Sequence, residues 1–526
     1  MILKRYCPEC KVAVKQVVSE RYLTGILFRT YQCGHEDPYP QLSPASFLDF
    51  TSRDGKKPYK FQIEGALFAI ESGARCLNTD EMGLGKTVQG LMPIWAHRRE
   101  LSPVWIQCKA GLKAQWQKEF TRWLGEDYMA QIVNKGTDPI LPGVRGIITS
   151  FDTTWRFKDI PAFIQRCKIK SIIIDEVQHI KNGASQRTKG LQIACAEVTH
   201  VIALSGMPIK NHAGEYFPIL NILRPDLFPT KSYFEQVWVD TYWDGKKLVK
   251  GGLKNPAKFQ EYTKKFIIRR TREQVMPDLP KITRDFRYSE LGPVVEEAYK
   301  DTLKEFQNYF NNQAAYDSAI TKSSNIMAYL ARMRHLTGIA KIESVLDYVE
   351  DFMTSTDRKL VIFAHHKDVG KVLYEKLEEL RQAAPDTWGR GILNIQGINA
   401  DSRAPVVEQF ENPDFRILIA GELSSGEGLN LQFCSDCVLM ERQWNPANEE
   451  QAEARFIRIG QKATSVSAMY PIAIGTVDEF LAELVEKKRG VCSNVVDGKE
   501  YIWNESSIIT ELAEILASQG GRKWGW

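Results

Sequence analysis

Two short segments of this 526-residue chain carry side chains suited to phosphate chemistry. Asp80-Glu81-Met82-Gly83-Leu84-Gly85-Lys86-Thr87 ends in Gly-Lys-Thr and runs into a helical stretch from Val88 to Arg99. Glycines let backbone N–H groups curl round phosphate oxygens, the Lys reaches the β- and γ-phosphates, and the Thr hydroxyl holds Mg²⁺. The usual pattern has Gly six residues before the Lys, where Asp80 stands. Pro93 should kink the helix that follows. Further on, Asp175-Glu176-Val177-Gln178-His179 follows the apolar run Ser171-Ile172-Ile173-Ile174. A strand delivering two carboxylates at its end suits Asp175 to Mg²⁺ and Glu176 to polarising an attacking water. Alone, either segment reads as an ordinary turn or strand end. Together they read as a site that binds ATP with Mg²⁺ and hydrolyses it. His179 is either a coupling residue or a packed core histidine.

A second constellation suits metal. Cys7-Pro8-Glu9-Cys10 and Cys33-Gly34-His35 offer three thiolates and an imidazole, a closed tetrahedral zinc set. The residues between them can form a hairpin, with Val12, Val14, Val17 and Val18 before a turn near Thr24-Gly25 and Ile26 to Tyr31 after it. So short a unit has little core, and Zn²⁺ would stabilise it. The bland alternative is two unrelated thiol pairs. Residues 1–35 carry six Lys or Arg and two Glu, which suits nucleic acid or a protein partner. Cys434 and Cys437 have the same spacing with no second pair beside them and read as core or turn.

The elements that must position these groups follow from pattern. The chain is 43% hydrophobic and 25% charged, which is globular composition. Its length predicts several domains. No apolar run is long enough to span a membrane, and the start has no signal core, so a cytosolic protein is expected, or a nuclear one in a eukaryote. Between residues 46 and 225, strand-like VWIQC, GIITS, SIIID and HVIALSG alternate with helical stretches. KLVIFAHH, ILNIQG, FRILIAG, CVLMERQW and SAMYPIAI repeat the alternation between 346 and 490. Each region predicts a parallel sheet with crossover helices. Residues 1–42 form the zinc-ribbon-like module, 226–345 a helical basic insert, and 491–526 a tail.

The net charge is +4, yet Asp244 to Gln274 carries ten Lys or Arg against three acids, a local +7. Most such runs are solvated helix faces. Interleaved with Phe259, Tyr262 and Phe266, this one is expected to hold DNA backbone through Lys264, Lys265, Arg269 and Arg270.

The order of motifs resembles the Swi/Snf-type ATPases of helicase superfamily two, over roughly residues 55 to 485. Phe61-Gln62-Ile63-Glu64-Gly65 is similar to the family's adenine-reading motif, with Gln62 as reader. The family's own phosphate loop also carries Asp where Asp80 stands. Gln115-Trp116 with Glu119-Phe120 and Trp123 resembles a segment whose neighbourhood contacts DNA backbone. DEVQH stands for the DEAH box, and Leu204-Ser205-Gly206-Met207-Pro208-Ile209 for the motif coupling hydrolysis to lobe movement. Phe266-Ile267-Ile268-Arg269-Arg270-Thr271 with Asp278-Leu279-Pro280 resembles the "LRRTK…LP" segment. Gly426 to Gln432, including Gly428, resembles motif five, with Trp444-Asn445-Pro446 after it. Gln451 to Gln461 resembles motif six, which implies that Arg455 and Arg458 serve the γ-phosphate, Arg458 as arginine finger. An acid is usual where Ala454 stands.

The resemblance implies two RecA-like α/β lobes with a helical insert and a small N-terminal zinc ribbon. It implies a monomeric ATP hydrolase moving on double-stranded DNA in repair, recombination, replication or protein displacement. A strand-separating DNA or RNA helicase is the enzymatic rival. The rival of another class is a polymerase- or protein-binding remodeller, targeted by its zinc module or by the tail ending Arg522-Lys523-Trp524-Gly525-Trp526. A bacterial or phage source fits the chain's compact size.

Overall fold

The computed structural model describes residues 5–518 apart from 7–12, 15–16, 24–25, 32–35, 41–43, 48, 209–211, 244–247, 314–316, 399, 422–428, 445 and 497–504, with most side chains from residue 46 onward. Cys7, Cys10, Cys33, His35, Gly428 and the stretch Arg522 to Trp526 therefore lie outside the described residues. The chain divides into two compact units, Met1–Val275 and Met276–Trp526.

The first unit is built on a seven-stranded parallel sheet. Its strands are β1 (Arg75–Asn78), β2 (Val104–Cys108), β3 (Met129–Ile132), β4 (Val144–Ser150), β5 (Ser171–Ile174), β6 (His200–Leu204) and β7 (Ile267–Ile268). They lie in the order β7-β1-β6-β5-β2-β4-β3. The central strands are buried along their whole length, which is why they read as unbroken apolar runs. Arg75 departs from that rule. Its buried guanidinium donates to the carbonyls of Leu223, Val198, Thr199, Cys195 and Ile222, which satisfies the donors that burial would otherwise orphan. That polar residue hides β1 from a reading by hydrophobicity.

Three helices matter for the site: α1 (Lys60–Glu71), α2 (Lys86–Ala96) and α3 (Lys113–Leu124). Pro93 lies inside α2, and the helix ends three residues later, where His97 N–H bonds back to the Pro93 carbonyl.

The second unit carries a six-stranded parallel sheet. Its strands are β8 (Ile282–Ser289), β9 (Leu360–Ala364), β10 (Gly391–Asn394), β11 (Phe415–Gly421), β12 (Asp436–Leu439) and β13 (Val466–Ala473), in the order β8-β13-β12-β9-β11-β10. Cys434 and Cys437 are buried in its core. The tail adds a helix, Glu505–Ser518, whose Leu512, Ala513 and Leu516 join a buried cluster with Tyr299 and Phe306.

The two α/β lobes are as expected, but 226–345 is not one helical insert. A hairpin of Val239–Trp243 with Leu248–Leu253 and then β7 belong to the first unit. β8 forms the edge of the second sheet and pairs with β13 over its whole length. Burial alternates over the first five residues of Ile282–Ser289 because an edge strand buries only part of itself. Near the N-terminus, Val17–Leu23, Ile26–Tyr31 and Glu36–Pro40 form an antiparallel three-stranded sheet, while the expected turn near Thr24-Gly25 lies outside the described residues. Among the described residues, no group of three or more His, Cys, Asp or Glu is placed to hold a metal, and no helix is long and apolar enough to cross a membrane.

Candidate active site

The phosphate loop joins β1 to α2. Gly83 and Gly85 adopt φ of +90° and +67°, which glycine reaches without a steric penalty. α2 therefore starts at Lys86 with its free N–H groups at the loop, a natural anion seat. Lys86 Nζ donates to the carbonyls of Asp80 (2.7 Å) and Glu81 (3.2 Å). Burial holds its pKa below the usual lysine value, and the carboxylates of Glu176, Asp80 and Asp175 oppose that shift. Gln62 sits at the rim of this loop. Its Oε1 accepts from the Tyr59 N–H and its Nε2 donates to the Leu84 carbonyl.

Asp80, where other loops have glycine, is fully buried and needs a partner. Arg270 supplies it. Its Nη2 lies 2.5 Å from Asp80 Oδ2 and its Nε 3.1 Å from Oδ1. Arg270 also donates to the Phe61 carbonyl and to Gln89 Oε1, and Gln89 Nε2 in turn donates to Asp80. Gly65 leaves room for this network, since a Cβ there would stand 1.9 Å from Gln89 Oε1. The flanking residues extend the clasp. Arg269 donates to the Thr79 and Gly206 carbonyls, and Arg272 bonds Glu81 through its side chain and its backbone N–H.

This corrects the expected DNA surface. Arg270 is spent on the loop, its side chain 13% exposed, and Arg269 is half-buried. Phe259 and Phe266 are core, packed on Phe228 with Phe234 and Trp238 nearby. The pattern puts Phe259, on the helix Pro256–Thr263, and Phe266, just after it, into the core and leaves Tyr262 exposed. Lys264 and Lys265 are exposed, with Lys264 pairing Glu261 at the surface.

β5 delivers the two carboxylates. Asp175 Oδ2 accepts from Trp116 Nε1 at 2.8 Å, a link from the buried face of α3 that sequence reading did not find. Burial and the neighbouring Glu176 push the Asp175 carboxyl up to about 7, against the pull of that indole N–H. A buried carboxyl beside a second one, with the Thr87 hydroxyl at the start of α2, is a set of hard oxygen donors that suits Mg²⁺. Glu176 sits at φ 51°, left-handed for a residue with a Cβ. Such strain persists only where surrounding contacts over-determine it. Here Gln178 Nε2 donates to Glu176 Oε2 (2.6 Å), Ser205 Oγ donates to Gln178 Oε1 (2.7 Å), and Met207 N–H donates to Ser205 Oγ (3.0 Å). Between those last two, Gly206 abuts the phosphate loop, where a Cβ would meet Met82 Cγ at 2.5 Å. The position that links the box to the next motif is thus Gln178. The ring of His179 lies against Phe151.

In the second unit Arg455 is buried and Arg458 half-buried, its Nε donating to the Ala454 carbonyl. The adjoining Glu453 takes a bidentate bond from Arg284 and a bond from Tyr470.

A family model described as the SNF2-related domain matches residues 59–339, more than half of the chain. The chain belongs to the SNF2-related family. A helicase conserved C-terminal domain matches residues 340–460. Mouse DNA annealing helicase and endonuclease ZRANB3 is 26% identical over 88% of this SNF2-related chain and 43% of its own length. A Caenorhabditis elegans homologue of SWI/SNF-related matrix-associated actin-dependent regulator of chromatin subfamily A-like protein 1 is 29% identical, over 83% of this chain and 61% of its own. The Saccharomyces cerevisiae DNA repair and recombination protein RAD54 is 24% identical, over 81% and 54%. The chain thus spans less than two thirds of these relatives. The solved Sulfolobus solfataricus SWI2/SNF2 ATPase core in complex with dsDNA aligns over 91% of this chain and 97% of its own, at 20% identity and a TM-score of 0.39.

Proposed function

We propose that this SNF2-related chain is an ATP-dependent motor that moves on double-stranded DNA, in repair, recombination or protein displacement. The observation that carries the reading is the hydrogen-bonded line from Glu176 through Gln178 and Ser205 to Met207. It ties the group that would polarise water to a motif abutting the phosphate loop, as a motor needs and a simple nucleotide-binding protein does not. Lys86 and the start of α2 would hold the phosphates, and Gln62 would read the adenine. Thr87 and Asp175 would hold Mg²⁺, which neutralises charge developing on the phosphates. Arg455 and Arg458 are assigned to the γ-phosphate by their motif. The printed names of the relatives, an annealing helicase and a repair and recombination protein, support the choice of DNA.

ATP hydrolysis measured at one stated salt, with no nucleic acid, blunt duplex DNA, single-stranded DNA or duplex RNA, tests this. Strong stimulation by blunt duplex is expected. Stimulation by single strands or RNA alone would mean an unwinding enzyme and would overturn the reading. A second expectation concerns Trp116, a positioning residue. Trp116→Phe removes the N–H on Asp175 but keeps the buried ring. The Mg²⁺ concentration for half-maximal hydrolysis should rise about 10-fold, the lower end for loss of an outer-shell partner. An unchanged Mg²⁺ dependence would show that the indole serves packing only.

A further inference from the structure

A cavity of about 610 Å³ opens at the amino-terminal ends of β2, β4 and β5. Asp175 and Glu176 lie beyond the other end of β5, so the cavity is on the opposite edge of the sheet from the phosphate loop. Four cations line it: Arg145, Arg166, Lys168 and Lys170, all exposed. None of them pairs with a carboxylate among the described residues. Arg166 donates to the carbonyls of Gly136 and Asp138, and Lys170 to that of Arg99. These bonds orient two of the charges without neutralising them. The one acid in the lining, Asp138, accepts through Oδ2 from the backbone N–H groups of Asn134 and Lys135, and it offsets part of the Arg166 charge at longer range.

The rest of the lining mixes apolar side chains with Ser102, Thr137 and Cys167. Pro103, Pro139, Ile140 and Pro142 supply its apolar part. The lining holds no aromatic side chain, the platform on which nucleic-acid bases stack. Fixed cations beside apolar side chains, in a volume typical of ligand pockets, match a chain segment that offers both carboxylates and a bulky apolar side chain.

We propose that this pocket docks an acidic peptide segment bearing a bulky apolar residue, supplied by a partner protein. Nothing in this reading depends on the motor activity. The test is calorimetric titration of the full chain with a short synthetic peptide alternating Glu and Leu, an all-Glu peptide of equal length, and a short single-stranded oligodeoxynucleotide. The Glu-Leu peptide should bind about 10-fold more tightly than the all-Glu peptide. Arg145→Glu with Lys168→Glu should weaken it by at least about 10-fold, since opposed charges become like charges. Ile140→Ser should remove the preference for Leu without touching the charges. Arg145 and Lys168 are exposed and Ile140 is half-buried, and an unchanged melting temperature shows that the variants are folded. Absence of binding, binding indifferent to the charge reversal, or tighter binding of the oligonucleotide that the reversal abolishes would each overturn the proposal.

Discussion

Glu176→Gln is expected to lower ATP turnover by about 10²–10⁴-fold, the range for loss of a positioned general base. The substitution keeps the side chain's length and shape, so the left-handed turn at 176 and the bond from Gln178 both have a carbonyl-type acceptor to rest on. What it removes is the charge that takes a proton from water. Lys86, Gln62 and the N–H groups of α2 are untouched, so ATP should still bind with an affinity close to that of the parent. Steady-state hydrolysis together with equilibrium binding of a fluorescent ATP analogue separates the two effects. Turnover within about threefold of the parent would remove Glu176 from the chemistry. A parallel loss of binding would assign it to holding the loop.

Arg270→Ala is expected to destabilise the first unit by about 3–5 kcal/mol, the cost of leaving one partner of a buried ion pair alone. Asp80 is wholly buried, and its neighbour Gln89 would lose the same guanidinium. Neutralising both partners should restore much of the loss, because the penalty belongs to the orphaned charge rather than to the missing attraction. Asp80→Gly with Arg270→Met is the informative pair, since Gly is the residue of the more usual loop. The midpoint of urea unfolding, followed by a probe in the first unit, reports the result. A single variant that unfolds with the parent would show that the clasp adds nothing. If Arg270→Ala were to flatten the salt dependence of DNA binding while leaving unfolding unchanged, Arg270 would return to the DNA surface.

Much of the fold was legible because buried parallel strands announce themselves. Val104–Cys108, Ser171–Ile174, His200–Leu204 and the strands of the second sheet other than β8 are apolar runs set between helices. β1 escaped because it opens on a buried Arg, and β7 because two residues make no pattern. β8 escaped because edge alternation sat inside a segment already read as helical.

The sequence by itself determined which groups lie in the phosphate loop and at the end of β5. Those are decided by covalent spacing: glycines that permit positive φ, a Lys at a helix start, and carboxylates just past an apolar strand. It also determined the family, through motifs kept in order. Only the tertiary structure decided how those groups are held. Trp116 reaches Asp175 across 59 residues, and Arg270 reaches Asp80 across 190. Gln178 rather than His179 meets Ser205 because the short turn after Glu176 aims one side chain inward and leaves the other against Phe151. The physical reason is the same in each case. A buried donor or charge must find a partner, and which partner it finds depends on what packing brings within about 3 Å, not on spacing along the chain.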